Sequence, residues 1–105
     1  MNTLRIASLA AAGLMTAPFA AAQDSAAGES VYQSVCKNCH GPTAKGMASF
    51  PKLIGQGPEY LSERLTAYRA KQPVGPNSAL MYPIAGKLSD ADIENVVAYI
   101  TTELE

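Results

Sequence analysis

One pentapeptide holds all of the cysteine and histidine in this chain, and it limits the fold more than any other feature. The chain of 105 residues has two cysteines and one histidine, and they stand together as Cys36-Lys37-Asn38-Cys39-His40. Two cysteines are too few for a four-cysteine zinc site or for a framework of two disulfides. Because the C-x-x-C-H motif occurs only once, a protein with several sites of this kind is also excluded. Thiol and imidazole chemistry is therefore confined to one place.

The spacing C-x-x-C-H is typical of a site where haem is attached covalently. Each cysteine forms a thioether with one haem vinyl group, and the histidine that follows ligates the iron. A thioredoxin-like C-x-x-C would need a βαβ pattern, a zinc site would need a fourth ligand, and a structural disulfide would not need the histidine. We therefore predict one haem c, attached through Cys36 and Cys39, with His40 as an axial ligand.

The second axial ligand has to come from another residue type, because the chain has only one histidine. Methionine sulfur is the partner that haem proteins pair with histidine to raise the reduction potential. Met47 follows His40 by only seven residues, too few to reach the other side of a ring, so we expect it to fill a gap in the core. Met81 lies beyond a predicted helix, and we predict that it ligates the iron.

A ligating histidine usually donates its second ring N–H to a fixed acceptor. The carbonyl of Pro51 is a candidate acceptor, because the proline ring fixes the backbone φ at this position. From the spacing alone, an ordinary loop proline is an equally good interpretation.

Helical periodicity interrupted by glycine and proline predicts an all-α fold. The apolar spacing predicts helices over 27–36, from Pro58 to about Ala70, and after the capping sequence Ser89-Asp90-Ala91-Asp92. Glycine and proline predict loops over 41–57 and 73–86. No stretch of four or more residues alternates as a strand does.

The first 22 residues have the layout of a secretory signal peptide. Arg5 precedes an apolar stretch from Ile6 to Phe19, and the alanines at 20–22 offer a cleavage site. An uncleaved membrane anchor is the alternative, although Pro18 interrupts the stretch. We predict a signal peptide at 1–22, a domain at 23–105, a periplasmic location, and no stable membrane insertion once the signal is removed.

Charge is nearly balanced overall but unevenly distributed. The 8 Lys+Arg and 9 Asp+Glu lack the basic surplus of a nucleic-acid-binding protein. Six basic residues but only two acidic ones lie in 37–71, whereas the rest of the predicted domain has seven acidic residues and one basic residue. This asymmetry can orient a partner protein, or it can be an ordinary solvated surface.

The chain from about Ala27 to Leu104 resembles a small bacterial class I cytochrome c. The likeness is carried by the C-K-N-C-H motif, P-K-L-I-G-Q, Y-L-x-x-R-L and L-S-D-A-D-I-E-N-V-V-A-Y-I, together with Gly28, Tyr32 and Met81. The resemblance implies three to five short helices wrapped around one haem. It also implies that the first and last helices cross, with Gly28 and Tyr32 meeting the face near Tyr99.

The resemblance also implies roles for site residues. His40 and Met81 would be the axial ligands, the Pro51 carbonyl would accept from His40, and Leu53 would line the haem pocket. Family members often have a tryptophan near a propionate, whereas this chain has none. The propionate partners therefore stay open, and the candidates are Arg64, Tyr68 and Tyr82.

The function expected from a six-coordinate iron is one-electron transfer between redox partner proteins, by a monomer that is not an enzyme. Two alternatives stay open. If Met81 dissociates, the iron could bind a small gas or peroxide. If the signal is not cleaved, the chain could be the haem-bearing subunit of a membrane oxidoreductase.

Overall fold

The computed structural model of the chain describes residues 24–105, in which the regular structure is helical and an isolated β-bridge between Met47 and Phe50 is the only β pairing. The predicted all-α class is confirmed. The predicted signal peptide at 1–22 lies outside the described residues. In chain order the elements are α1 (Ser25–Val31), a π-helical segment (Tyr32–Cys36), α2 (Lys37–His40), α3 (Pro58–Arg69), a 3-10 turn (Ser78–Leu80), α4 (Tyr82–Ala85) and α5 (Asp90–Glu103).

The first helical stretch is longer than the sequence predicted. It begins at Ser25, because the Asp24 side chain caps it by accepting the backbone N–H groups of Ala26 and Ala27. It also continues beyond Cys36 through His40, so that the whole pentapeptide is helical. The π-helical turn between α1 and α2 had no counterpart in the prediction, since apolar periodicity carries no signal for one widened turn.

The two long helices begin where the sequence predicted. Pro58 occupies the first turn of α3, where its missing N–H costs no hydrogen bond. At the start of α5, Ser89 accepts the N–H of Asp92, and the Asp92 carboxylate accepts the N–H of Ser89. This reciprocal capping box is the one that the Ser89–Asp92 sequence predicted.

The predicted loop over 73–86 is partly helical, which corrects the sequence-based assignment. It contains the 3-10 turn Ser78–Leu80 and the single helical turn α4. The buried Ser78 hydroxyl accepts from the N–H of Val74 and donates to the carbonyl of Gly75, which fixes the entry to these turns. Elements of three and four residues are too short to show helical periodicity.

Helices α1 and α5 cross at a point of close backbone contact. A Cβ atom placed on Gly28 would overlap the Asn95 carbonyl oxygen and lie 2.9 Å from the Cβ of Tyr99. One turn further along, the fully buried Tyr32 ring lies 5.6 Å from the Tyr99 ring, centroid to centroid. The helix crossing implied by the family resemblance is confirmed.

The hydrophobic core lies mainly along α5. Its buried members are Tyr32, Ala44, Leu61, Leu88, Ile93, Val96, Val97, Tyr99 and Ile100. Five of these nine come from one helix, because α5 presents its apolar face to both α1 and α3. Within residues 24–105, no helix is both long enough and apolar enough to cross a membrane.

Replacing Gly28 by alanine is expected to destabilise the protein by about 1–3 kcal/mol or more, because the added methyl group would have to push two helix backbones apart. Urea unfolding of the holoprotein measures this change. Gly75→Ala is the matched control, since a Cβ there would meet only the Ser78 Oγ at 3.8 Å. Equal free energies of unfolding for the two variants would contradict the close crossing.

Candidate haem-attachment site

Both cysteine thiols are free and partly buried at the end of the first helical stretch. Cys36 is the last residue of the π-helical segment, and Cys39 lies in α2. Cys36 also packs against the core, and this burial raises the pKa of its thiol to about 11.

The His40 imidazole is buried and has one nitrogen fixed by the backbone. Its Nδ1 lies 2.8 Å from the carbonyl oxygen of Pro51. A carbonyl oxygen can only accept, so Nδ1 carries the proton and Nε2 is the basic nitrogen. No described residue bonds Nε2, and every fully buried side-chain nitrogen or oxygen in residues 24–105 has a partner. Nε2 is therefore the His40 nitrogen that has no hydrogen-bond partner among these residues.

Backbone contacts fold the loop after His40 back toward this histidine. The N–H of Gly46 donates to the His40 carbonyl at 2.9 Å. Gly46 has φ +80°, and a Cβ on it would lie 2.6 Å from the Phe50 carbonyl oxygen and 2.9 Å from the Lys52 nitrogen. The turn after the motif therefore packs directly on the segment that carries Pro51.

The Tyr32 hydroxyl bonds to the same loop. It donates a hydrogen bond to the carbonyl of Gly41, the residue that follows His40. Burial, helped by the nearby Cys36, raises the pKa of the Tyr32 phenol to about 12. The hydroxyl is therefore a hydrogen-bond donor throughout the physiological pH range.

Met81 and Leu53 are partly buried. Met81 joins the 3-10 turn to α4, and its backbone bonds to Ser78 at 2.9 Å and Ala85 at 2.8 Å. Leu53 packs against the core, and its N–H donates to the Ala44 carbonyl. The structure thus brings His40 and Pro51 together, while Met81 lies on a separate stretch that is itself held by local bonds.

Met47 does not fill a gap in the core. Its side chain is 46% exposed, on a turn in which its N–H and carbonyl both pair with Phe50. The prediction of core packing is therefore wrong for this residue. Its backbone pairs with Phe50 in an isolated β-bridge, and the residue lies at the surface of this turn.

Among the candidate propionate partners, Arg64 already has contacts within the protein. Its Nη1 donates to the Val74 carbonyl at 3.2 Å, and its guanidinium carbon lies 5.0 Å from the Tyr60 ring centroid. Tyr68 and Tyr82 are partly buried. A role at the propionates stays a prediction for all three. Arg69, for which the sequence pattern gave no signal, bonds the Leu88 carbonyl and Asp90 and so ties α3 to the start of α5.

The donor set fits haem. Two thiols three residues apart are followed by a histidine whose Nδ1 is engaged and whose Nε2 is available. Imidazole nitrogen and thioether sulfur are both good iron ligands, and the chain offers a partly buried methionine in Met81.

Comparison with known proteins agrees with this geometry. The sequence model of the Cytochrome c family matches residues 25–103. The chain belongs to the cytochrome c family. It is 39% identical to cytochrome c-554(547) of Halothiobacillus neapolitanus over 77% of this chain and 98% of that protein. It is 43% identical to cytochrome c-554(548) of Halomonas halodenitrificans over 78% of this chain and 99% of that protein.

A further similarity is to part of a longer protein. The chain is 36% identical to cytochrome c4 of Azotobacter vinelandii, over 70% of this chain and 40% of that protein. Family membership and the C-x-x-C-H motif together identify the cofactor as one covalently attached haem c.

Gly46→Ala is expected to disturb the His40 loop more than Gly55→Ala. Both glycines have a left-handed φ, +80° and +79°, so both variants incur a similar backbone strain of about 1–2 kcal/mol. Only at Gly46 would the added Cβ also press on the Phe50–Lys52 backbone, whereas at Gly55 it would meet nothing within 4 Å. Urea unfolding should show a further loss of about 1–3 kcal/mol for Gly46→Ala. Indistinguishable variants would mean that the loop does not depend on this contact.

Proposed function

We propose that this chain is an exported mono-haem cytochrome c that carries single electrons between redox proteins in the periplasm. The observation that carries the proposal is the state of His40, in which Nδ1 is held by the Pro51 carbonyl and Nε2 is left for iron. Family membership supports the electron-carrier class. No residue is assigned a catalytic role.

The site residues divide into attachment, ligation and support. Cys36 and Cys39 would form the two thioethers, and His40 and Met81 would be the axial ligands. When bound, haem supplies an iron that takes one electron from a donor as Fe(III) and passes it on as Fe(II). If His40 and Met81 both bound the iron, no coordination position would be left for a substrate.

The Pro51 carbonyl would keep the proton on Nδ1 and so increase the basicity of the ligating Nε2. The proline ring restricts the backbone at this carbonyl, which limits how far the acceptor can move. Leu53, two residues later and partly buried against the core, would line the pocket and help to exclude water. Hydrogen bonding to the ligand and burial of the ring are the two means by which a protein sets the haem potential.

The proposed boundaries divide the chain into a signal peptide and a cytochrome domain. Residues 1–22 would be a signal peptide, and 23–105 the cytochrome domain, which agrees with a family match that begins at residue 25. Haem attachment outside the cytoplasm suits this arrangement. Mass spectrometry of the exported holoprotein tests it, since a chain that begins at Gln23 and carries one haem has a defined mass. A retained N-terminus would instead favour an anchored subunit.

Replacing Met81 by alanine is expected to remove the sixth ligand. The ferric iron should become high-spin, and the reduction potential should fall, because thioether sulfur favours Fe(II). Absorption spectra in both redox states and a redox titration measure these changes. Met47→Ala is the matched control, since it removes the other methionine of the predicted domain from an exposed position.

A spectrum and potential unchanged in Met81→Ala would show that Met81 is not the ligand. The same changes in Met47→Ala alone would assign ligation to Met47. Tight binding of carbon monoxide by the reduced wild-type protein would favour the gas-binding alternative, because a saturated iron leaves no position for it.

The partner is proposed to present an acidic surface. Lys37, Lys45 and Lys52 are all exposed and lie in or just after the attachment motif. The acidic residues collect elsewhere, above all on α5, which has Asp90, Asp92, Glu94 and Glu103. Such a separation of charge orients a molecule in the field of an oppositely charged partner.

Electron transfer to a small anionic oxidant, hexacyanoferrate(III), should slow as salt is added. Charge steering changes association rates by roughly 10- to 1000-fold, and we expect a fall of about tenfold between 10 mM and 500 mM salt. A variant with Lys37, Lys45 and Lys52 changed to glutamine should lose most of this dependence. Lys87→Gln, in the acidic half of the domain, is the control. An electron-transfer rate that does not change with ionic strength would show that these lysines form an ordinary solvated surface and do not steer a partner.

A further inference from the structure

The Tyr32 side chain connects the helix that leads to the cysteines with the loop that supplies the His40 acceptor. Its ring is fully buried and packs against Tyr99 of α5. Its hydroxyl donates a hydrogen bond to the Gly41 carbonyl, outside this aromatic contact. A single side chain thus touches both the helix crossing and the first residue after His40.

Hydrogen bonds continue from this carbonyl to the segment of Pro51. The Gly41 carbonyl also accepts the N–H of Ala44 at 3.3 Å, and the Ala44 carbonyl accepts the N–H groups of Leu53 at 2.9 Å and Ile54 at 3.3 Å. Three hydrogen bonds in series therefore connect the phenol to Leu53, the residue two positions after Pro51.

Ala44 shows that this loop is held in place by its surroundings. It has φ +57° although it is not glycine, and it is fully buried. A left-handed alanine costs about 1–2 kcal/mol and persists only where neighbouring contacts enforce it. The bonds to Gly41, Leu53 and Ile54 supply that enforcement, and the Tyr32 hydroxyl fixes the Gly41 end.

The backbone of Tyr32 also takes part in placing the motif. It begins the π-helical segment, and its carbonyl accepts the N–H of Lys37, five residues ahead. This widened turn sets the rotation between Tyr32 and the residues of the motif, and π turns of this kind are frequent at functional sites.

We propose that Tyr32 is a positioning residue for the axial histidine: its hydroxyl holds the Gly41 carbonyl, and with it the loop that presents the Pro51 carbonyl to His40 Nδ1. The proposal rests on the proposed role of His40 as iron ligand. An acceptor at Nδ1 makes the imidazole a stronger donor, and a stronger donor favours Fe(III). Loss of the Tyr32 hydroxyl should therefore weaken the acceptor contact and raise the reduction potential.

Tyr32→Phe in the holoprotein tests the proposal, because it keeps the buried ring and removes only the hydroxyl. Tyr99→Phe is the matched control: the Tyr99 ring packs against Tyr32 at a tilt of 50°, and its hydroxyl makes no hydrogen bond within residues 24–105. One readout is the midpoint potential. The other is the solvent-exchange rate of the His40 Nδ1–H, followed by NMR in the reduced protein.

We expect Tyr32→Phe to shift the reduction equilibrium toward Fe(II) by about three- to tenfold. This is smaller than the roughly 10- to 100-fold loss of metal affinity or activity that follows removal of a direct partner of a ligating imidazole. The Nδ1–H should exchange several times faster than in the wild type. Tyr99→Phe should change neither quantity, even if it lowers stability. Gly46→Ala displaces the same loop from its other side, and it is a second variant expected to shift both readouts in the same direction.

The positioning role is overturned if Tyr32→Phe and Tyr99→Phe give the same potential and the same exchange rate, because the phenol would then act only in packing. Failure of the proposed function would look different. In that case the wild-type protein itself would lack the spectrum of a histidine–methionine haem. The exchange rate still tests Tyr32 in that event, because it needs His40 and Pro51 but not Met81.

Discussion

The close crossing of α1 and α5 at Gly28 fixes the helix that carries the attachment motif against the core. Because no Cβ separates the helix from the Asn95 carbonyl, the two backbones touch, and Tyr32 is brought against Tyr99 one turn later. A helix held at its start by this contact leads without a break into the attachment motif. The position of the cysteines is therefore set by a helix–helix contact made several residues before them.

Beyond the crossing, the loop around His40 is held in place mainly by backbone contacts. The loop after His40 is closed by hydrogen bonds between main-chain groups, and the tight fit of Gly46 against Phe50–Lys52 leaves Pro51 little freedom. Placing an acceptor in this way suits an electron carrier, because a rigid ligand environment changes little between Fe(II) and Fe(III). The Tyr32 hydroxyl bonds this loop from within the core, and Ala44 and Leu53 of the loop pack against the core as well.

Much of this could be predicted from the sequence. The starts of α3 and α5 followed from Pro58 and from the capping box at Ser89. The missed features are short or depend on distant partners: the π turn, α4, and the exposure of Met47. Periodicity needs several turns to show itself, so single turns are invisible to it, and burial is decided by neighbours that lie elsewhere in the chain.

The chemistry of the site can be predicted from the amino-acid sequence, because one pentapeptide holds every thiol and imidazole, and its spacing suits covalent haem attachment. It also determined the helical class through its apolar spacing. The folded chain was needed to establish which ring nitrogen of His40 is bonded, which carbonyl accepts from it, and which buried side chain supports the loop. The physical reason is that hydrogen bonds between residues far apart in sequence form only once packing has brought them together.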